Sequence, residues 1–147
     1  MVTMRPNGLR AGSIPQPPPD PSGRAAFPSG PEAPAAARRF VGTLLARTPP
    51  VLTADCLDEV RLIVSELVTN AIRYGTEPGD PVLVIVTTAA ETVRVEVQDR
   101  LHLRPCVKPF AEQRDHGRGL FIVRALAVRW GVVDRPLGKG VWAEVPR

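Results

Sequence analysis

Cysteine, histidine and aromatic side chains are scarce in this 147-residue sequence, which has two Cys, two His and only 5% Phe, Trp and Tyr. Cys56 and Cys106 form no CxxC pair, and with His102 and His116 they give no metal-ligand spacing. That excludes a disulfide scaffold and a structural zinc site. No apolar run approaches the roughly 20 residues that span a bilayer. Arg5 and Arg10 lead into Pro and Gly rather than an apolar stretch, so no secretory signal is read and a cytoplasmic location is expected. With aromatics so few, the 44% apolar content implies a core of Val, Leu, Ile and Ala.

Clustered charge is lacking too. The sequence carries 19 basic and 15 acidic groups, a net +4, yet its longest basic run is Arg38-Arg39. Nucleic-acid binding needs a concentrated stripe, a recognition motif or an aromatic platform, and none is present. Proline, by contrast, is plentiful: nine of the 17 fall before Ala35. Residues 1–23, with Pro17-Pro18-Pro19, are read as a disordered Pro-rich tail, and residues 24–147 as one domain.

Within that domain, Arg24–Pro28 reads as a short edge strand. Pro34 suits a first helical turn, and Ala37, Phe40, Val41, Leu44 and Leu45 make an apolar helical stripe that Thr48-Pro49-Pro50 ends. A longer helix starts near Thr53 or Asp55, with Asp55 and Asp58 as an acidic cap. Its core stripe is Leu57, Val60, Val64, Leu67, Val68 and Ala71, and Glu59, Glu66, Asn70 and Arg73 lie on the opposite side. Residues 82–88 and 92–98 alternate as an antiparallel hairpin. Residues 100–118 show no period, and irregular segments of that length are usually functional or disordered. A third helix is predicted from Gly119-Leu120 to Gly131, with Leu120, Val123, Leu126, Ala127 and Trp130 inward. A last hairpin follows, turning through Arg135–Gly140. The fold class is α/β: a two-layer sandwich with a mixed, mostly antiparallel sheet covered on one face by about three helices.

Three places carry candidate chemistry. Glu66 and Asn70 lie one helical turn apart; an amide oxygen suits Mg2+ that keeps waters and grips phosphate, and a carboxylate nearby can activate a hydroxyl. Spacing alone does not separate this pair from an ordinary solvated helix face. Asp99 ends the second strand of the middle hairpin, where a carboxylate can accept a hydrogen bond from an amino group. Gly117-Arg118-Gly119-Leu120 is a Gly-rich turn into a helix, which lets backbone N–H groups approach a polyphosphate. It is neither a Walker A loop nor a dinucleotide fingerprint. Lys139, between Gly138 and Gly140, reads as part of a hairpin turn.

Taken in order, VSELVTNAIRYG (Val64–Gly75), VRVEVQD (Val93–Asp99), GRGLFIVRALAVRWGV (Gly117–Val132) and GKGVWAEV (Gly138–Val145) resemble the GHKL nucleotide-binding superfamily of gyrase, histidine kinases and related ATPases. More closely, with ARRFV at Ala37–Val41, they resemble the small actinobacterial ATP-binding proteins related to anti-sigma-factor serine/threonine kinases. The resemblance covers residues 24–147 and implies the histidine kinase-like ATPase fold with ATP and Mg2+ as cofactors. It implies Glu66 as general base, Asn70 as the Mg2+ ligand and Arg73 as its neighbour facing the phosphates. Asp99 becomes the adenine-reading acid, and Gly117, Arg118, Gly119 and Leu120 the lid hinge and helix start beside the phosphates.

The resemblance further implies phosphorylation of a serine on an antagonist protein, sequestration of a sigma factor, or both, with a homodimer as one arrangement. A non-catalytic protein-binding module with weak or nucleotide-switched ATP binding is the alternative. Two departures from the family pattern bear on this choice. The usual Asp-x-Gly-x-Gly reads Asp99-Arg100-Leu101-His102-Leu103, and Gly140 stands where many relatives have a threonine that supports the adenine contact.

Overall fold

The computed structural model describes residues 2–3, 22–49, 51–100, 106–107, 118–136 and 138–147. Five strands form one sheet: β2 (Gly23–Pro28), β3 (Pro81–Thr88), β4 (Thr92–Asp99), β6 (Arg129–Arg135) and β7 (Gly138–Pro146). Their order is β2-β3-β4-β7-β6, and every neighbouring pair is antiparallel. A separate two-stranded pairing joins β1 (Val2–Thr3) to β5 (Cys106–Val107). The expected edge strand is β2. The remainder of the Pro-rich tail, residues 1 and 4–21, lies outside the described residues.

Alternation on β4 sets the two faces of the sheet. Val93, Val95 and Val97 are buried together with Val82, Val84 and Val86 of β3 and Ala143 and Val145 of β7. This is the Val-rich core that the shortage of aromatics implies. The other face carries Arg94, Glu96 and Gln98 beside Trp142 and Glu144. There Arg135 grips both Glu96 oxygens, at 2.5 and 3.0 Å, and Arg129 clamps Glu144. The Arg94 guanidinium lies 4.1 Å from the centre of the Trp142 ring. Its desolvation lowers its pKa, with Arg135 adding to that, while Glu96 and Glu144 pull it back up. These charge-assisted bonds satisfy the buried Glu96 and Glu144 carboxylates on this face.

Three helices, α1 (Ala33–Arg47), α2 (Ala54–Tyr74) and α3 (Arg118–Leu126), belong to the other layer. Pro34 occupies the first turn of α1, and Thr48 closes it by donating its hydroxyl to Leu44 O at 2.8 Å. Phe27 of β2 meets Phe40 of α1 edge to face, with centroids 6.0 Å apart. Helix α2 is the middle element, packed on α1, α3 and the inner strands. Its cap is Thr53, whose hydroxyl accepts from Cys56 N–H at 3.1 Å; Asp55 adds charge in the first turn, and Asp58 instead pairs with Arg61 at the surface.

Two expectations change. Ile63, left out of the predicted core stripe, is fully buried, because α2 is covered on its flanks as well as beneath. The third helix ends at Leu126 rather than Gly131. Val128 N–H donates to Glu144 O, and Arg129–Arg135 pair along β7, so sheet hydrogen bonds override the helical period there. Trp130 is buried as expected, but from a strand. No helix among the described residues is long and apolar enough to cross a membrane.

Cys56 is a buried free thiol that donates to Pro146 O at 3.2 Å. Burial raises its pKa above the ordinary value, Glu59 raises it further and Arg147 opposes them. A raised thiol pKa means less thiolate at any given pH. Alkylation of Cys56 by iodoacetamide at pH 8, followed by peptide mass mapping, is therefore expected to run at least tenfold slower than that of glutathione. In urea the rates should converge.

Candidate functional site

Glu66 and Asn70 sit on the C-terminal half of α2, half-buried and one turn apart. They share a helical stripe with Ile63, so the stripe passes from closed packing at Ile63 to partial exposure at the two polar side chains. Neither the Glu66 nor the Asn70 side chain makes a hydrogen bond or ion pair with another described residue. A half-buried carboxylate and amide without protein partners keep their acceptor oxygens for a ligand or water. Arg38 of α1 donates to the Ser65 hydroxyl at 2.6 Å, fixing α1 against α2 one residue before Glu66. Arg73 is exposed in the last turn of α2, where a cation also meets the negative end of the helix.

The end of α2 runs directly into Asp99. Gly75 N–H closes the helix on Ala71 O at 2.8 Å, and a β-carbon on Gly75 would fall 2.1 Å from Asp99 Oδ2. Only a residue without a side chain lets the helix terminus and that carboxylate come so close. Asn70 precedes Gly75 by five residues, about 7.5 Å of helix rise. One helix thus orders Glu66, Asn70 and the Asp99 contact along a single axis.

Sequence reasoning missed the partner of Asp99. Lys139 belongs to β7 rather than to a turn: the hairpin closes at Arg135 and Gly138, and Lys139 stands opposite Asp99 on one side and Asp134 on the other. Its ammonium donates to Asp99 Oδ1 at 2.9 Å and to Oδ2 at 2.8 Å, with the two side chains only 4% and 2% exposed. Removing one partner of such a pair leaves a buried charge unmatched, at a cost of about 3–5 kcal/mol. A Gly-Lys-Gly string reads locally as a turn. The usable signal was the period-two phase that sets Lys139 in line with Val141, Ala143 and Val145.

The two glycines flanking Lys139 have separate reasons. A β-carbon at Gly138 would overlap the Asp99 carbonyl oxygen at 1.8 Å, so the backbones cross there in contact. At Gly140 it would press on the Glu96 carboxylate, 2.8 Å away, on the opposite face of the sheet from Asp99. The missing threonine hydroxyl at position 140 therefore bears on the Glu96 network in this chain, and not on the Asp99 carboxylate.

Arg118, Gly119 and Leu120 form the first turn of α3, which packs on α2. Gly117 lies outside the described residues, as do residues 101–103 of the altered stretch after Asp99. Among the described residues no group of three or more His, Cys, Asp or Glu could enclose a metal ion. The Asn70 amide oxygen is instead the kind of neutral donor that suits Mg2+ completing its shell with water and phosphate oxygens.

Gly138→Ala tests the crossing. It is expected to lower stability by about 3 kcal/mol, the upper end of overpacking costs, in urea denaturation followed by circular dichroism. A loss below about 0.5 kcal/mol, the size of an ordinary surface change, would contradict this contact.

A family model described as the histidine kinase-like ATPase domain matches residues 27–144. Comparison with curated proteins finds no match.

Proposed function

Because the chain belongs to the histidine kinase-like ATPase domain family, we propose that it binds a nucleoside triphosphate with Mg2+ and acts on a partner protein. The domain is of the GHKL type, often found in signalling modules built on protein–protein contacts. The finer reading is a cytoplasmic regulator of the anti-sigma type, which phosphorylates a serine of an antagonist protein, sequesters a sigma factor, or does both. The observation that carries the nucleotide reading is the pair Glu66 and Asn70: half-buried, one turn apart, and without partners among the described residues.

In this reading Asn70 supplies a neutral oxygen to Mg2+, which would neutralise charge on the β- and γ-phosphates. Arg73 adds positive charge at the same end of α2. Glu66 orders the attacking hydroxyl and takes its proton. The first turn of α3, with Arg118, Gly119 and Leu120 after Gly117, turns its free N–H groups to the phosphates. Asp99, against Gly75, marks the base end of the site.

A second reading is favoured by one observation, the Lys139 ammonium already bound to both Asp99 oxygens. On that reading the chain captures its partner without phosphotransfer, and nucleotide acts only by favouring one of two conformers. Partner capture with and without ATP, run beside labelled-phosphate transfer, separates the two.

Titration calorimetry tests the site. Asn70→Ala should weaken Mg2+-dependent ATP binding at least tenfold, about 1.4 kcal/mol. Glu66→Ala should leave affinity within threefold and lower phosphotransfer by roughly 100-fold or more. Unchanged Mg2+-dependent binding in Asn70→Ala would remove the phosphate-site assignment.

A further inference from the structure

Asp99 is enclosed rather than presented. Gly75 closes one side of its carboxylate, and the Lys139 ammonium bonds both oxygens from the neighbouring strand. A 6-aminopurine is read by a carboxylate when its exocyclic N–H donates to a free carboxylate oxygen. Here each oxygen already accepts a charge-assisted bond, stronger than one from a neutral amine, and the remaining lone pairs are shut in, because the Asp99 side chain is only 2% exposed and lies against Gly75. Displacing the lysine for that amine would exchange the stronger bond for the weaker one and strand a buried ammonium. The exchange is unfavourable from both sides.

Lys139 is also fixed in place. It is part of a continuous β4–β7–β6 ladder, between Asp99 and Asp134, and its side chain is almost fully buried. The backbone crossing at Gly138 leaves β7 no room to shift away from Asp99. The phosphate-facing residues on α2 do not share this closure.

We propose that Lys139 sets base selectivity in this site: by occupying the Asp99 carboxylate it abolishes selection for the 6-amino group. The site then takes purine nucleoside triphosphates through their phosphates, 6-amino and 6-oxo bases alike. The inference rests on the nucleotide reading above and deepens it.

Titration calorimetry of the full chain with Mg2+ and ATP, ITP or inorganic tripolyphosphate tests it. The unaltered protein should bind ATP and ITP with affinities within threefold. Lys139→Met frees the carboxylate and should favour ATP over ITP by tenfold or more, and Asp99→Ala/Lys139→Met should lose that preference. Thermal melts of the same samples show which variants are folded. A tenfold preference for ATP in the unaltered protein overturns the inference while leaving nucleotide binding intact, and needs no variant to fold. A folded Lys139→Met protein with no gain in preference overturns it as well. Binding of none of the three probes overturns the nucleotide reading itself, and this inference with it.

Discussion

Strict alternation along β4 is the constraint on which the rest of the structure depends. Val93, Val95 and Val97 point to the helices, so Arg94, Glu96 and Gln98 must point away, and Asp99 returns to the inner face. A slip of one residue would exchange the two sets, sending three charged or polar groups into the core. Because the phase is held by six buried valines on β3 and β4, Asp99 is delivered to the end of α2 by the packing of residues well away from it. The acid's position follows from the core, and its chemistry from what the neighbouring strand sets beside it.

That neighbour shows how a recognisable site can be altered without losing its signature residues. Glu66, Asn70 and Asp99 all lie in the stretches whose sequence resembles the family pattern. The difference comes from β7, which brings a lysine within 2.9 Å of both acid oxygens. A buried ion pair adds little net stability compared with an apolar pair of similar volume. Its effect here is on availability: the carboxylate is engaged before any ligand arrives.

Much of the fold was legible because its signals are local. The hairpin of β3 and β4 follows from period two, α1 from Pro34 and the stripe ending before Pro49, and α2 from a long apolar stripe closed by Gly75. Glu66 and Asn70 could be paired from their spacing alone. The misreadings arose where distant segments decide. Residues 129–131 have an acceptable helical period, and only pairing with β7 shows them to be strand. Ile63 falls outside a one-sided stripe because α2 is packed on more than one side. Lys139 was hidden by its glycines, which serve a backbone crossing and a carboxylate across the sheet rather than a turn.

The outward face of the sheet has a consequence for association. Its apolar centre, Trp142, is roofed by Arg94, and the flanking carboxylates of Glu96 and Glu144 are held by Arg135 and Arg129. Any protein laid flat on this surface would have to dehydrate guanidinium groups that already have satisfied partners, with little hydrocarbon uncovered in return. On the helical side, Phe121 of α3 is 62% exposed and Leu62 of α2 is 42% exposed, and neither carries such a hydration barrier. Among the described residues the two sides therefore differ in kind: one is an ionic lattice over Trp142, and the other shows the exposed side chains of Phe121 and Leu62.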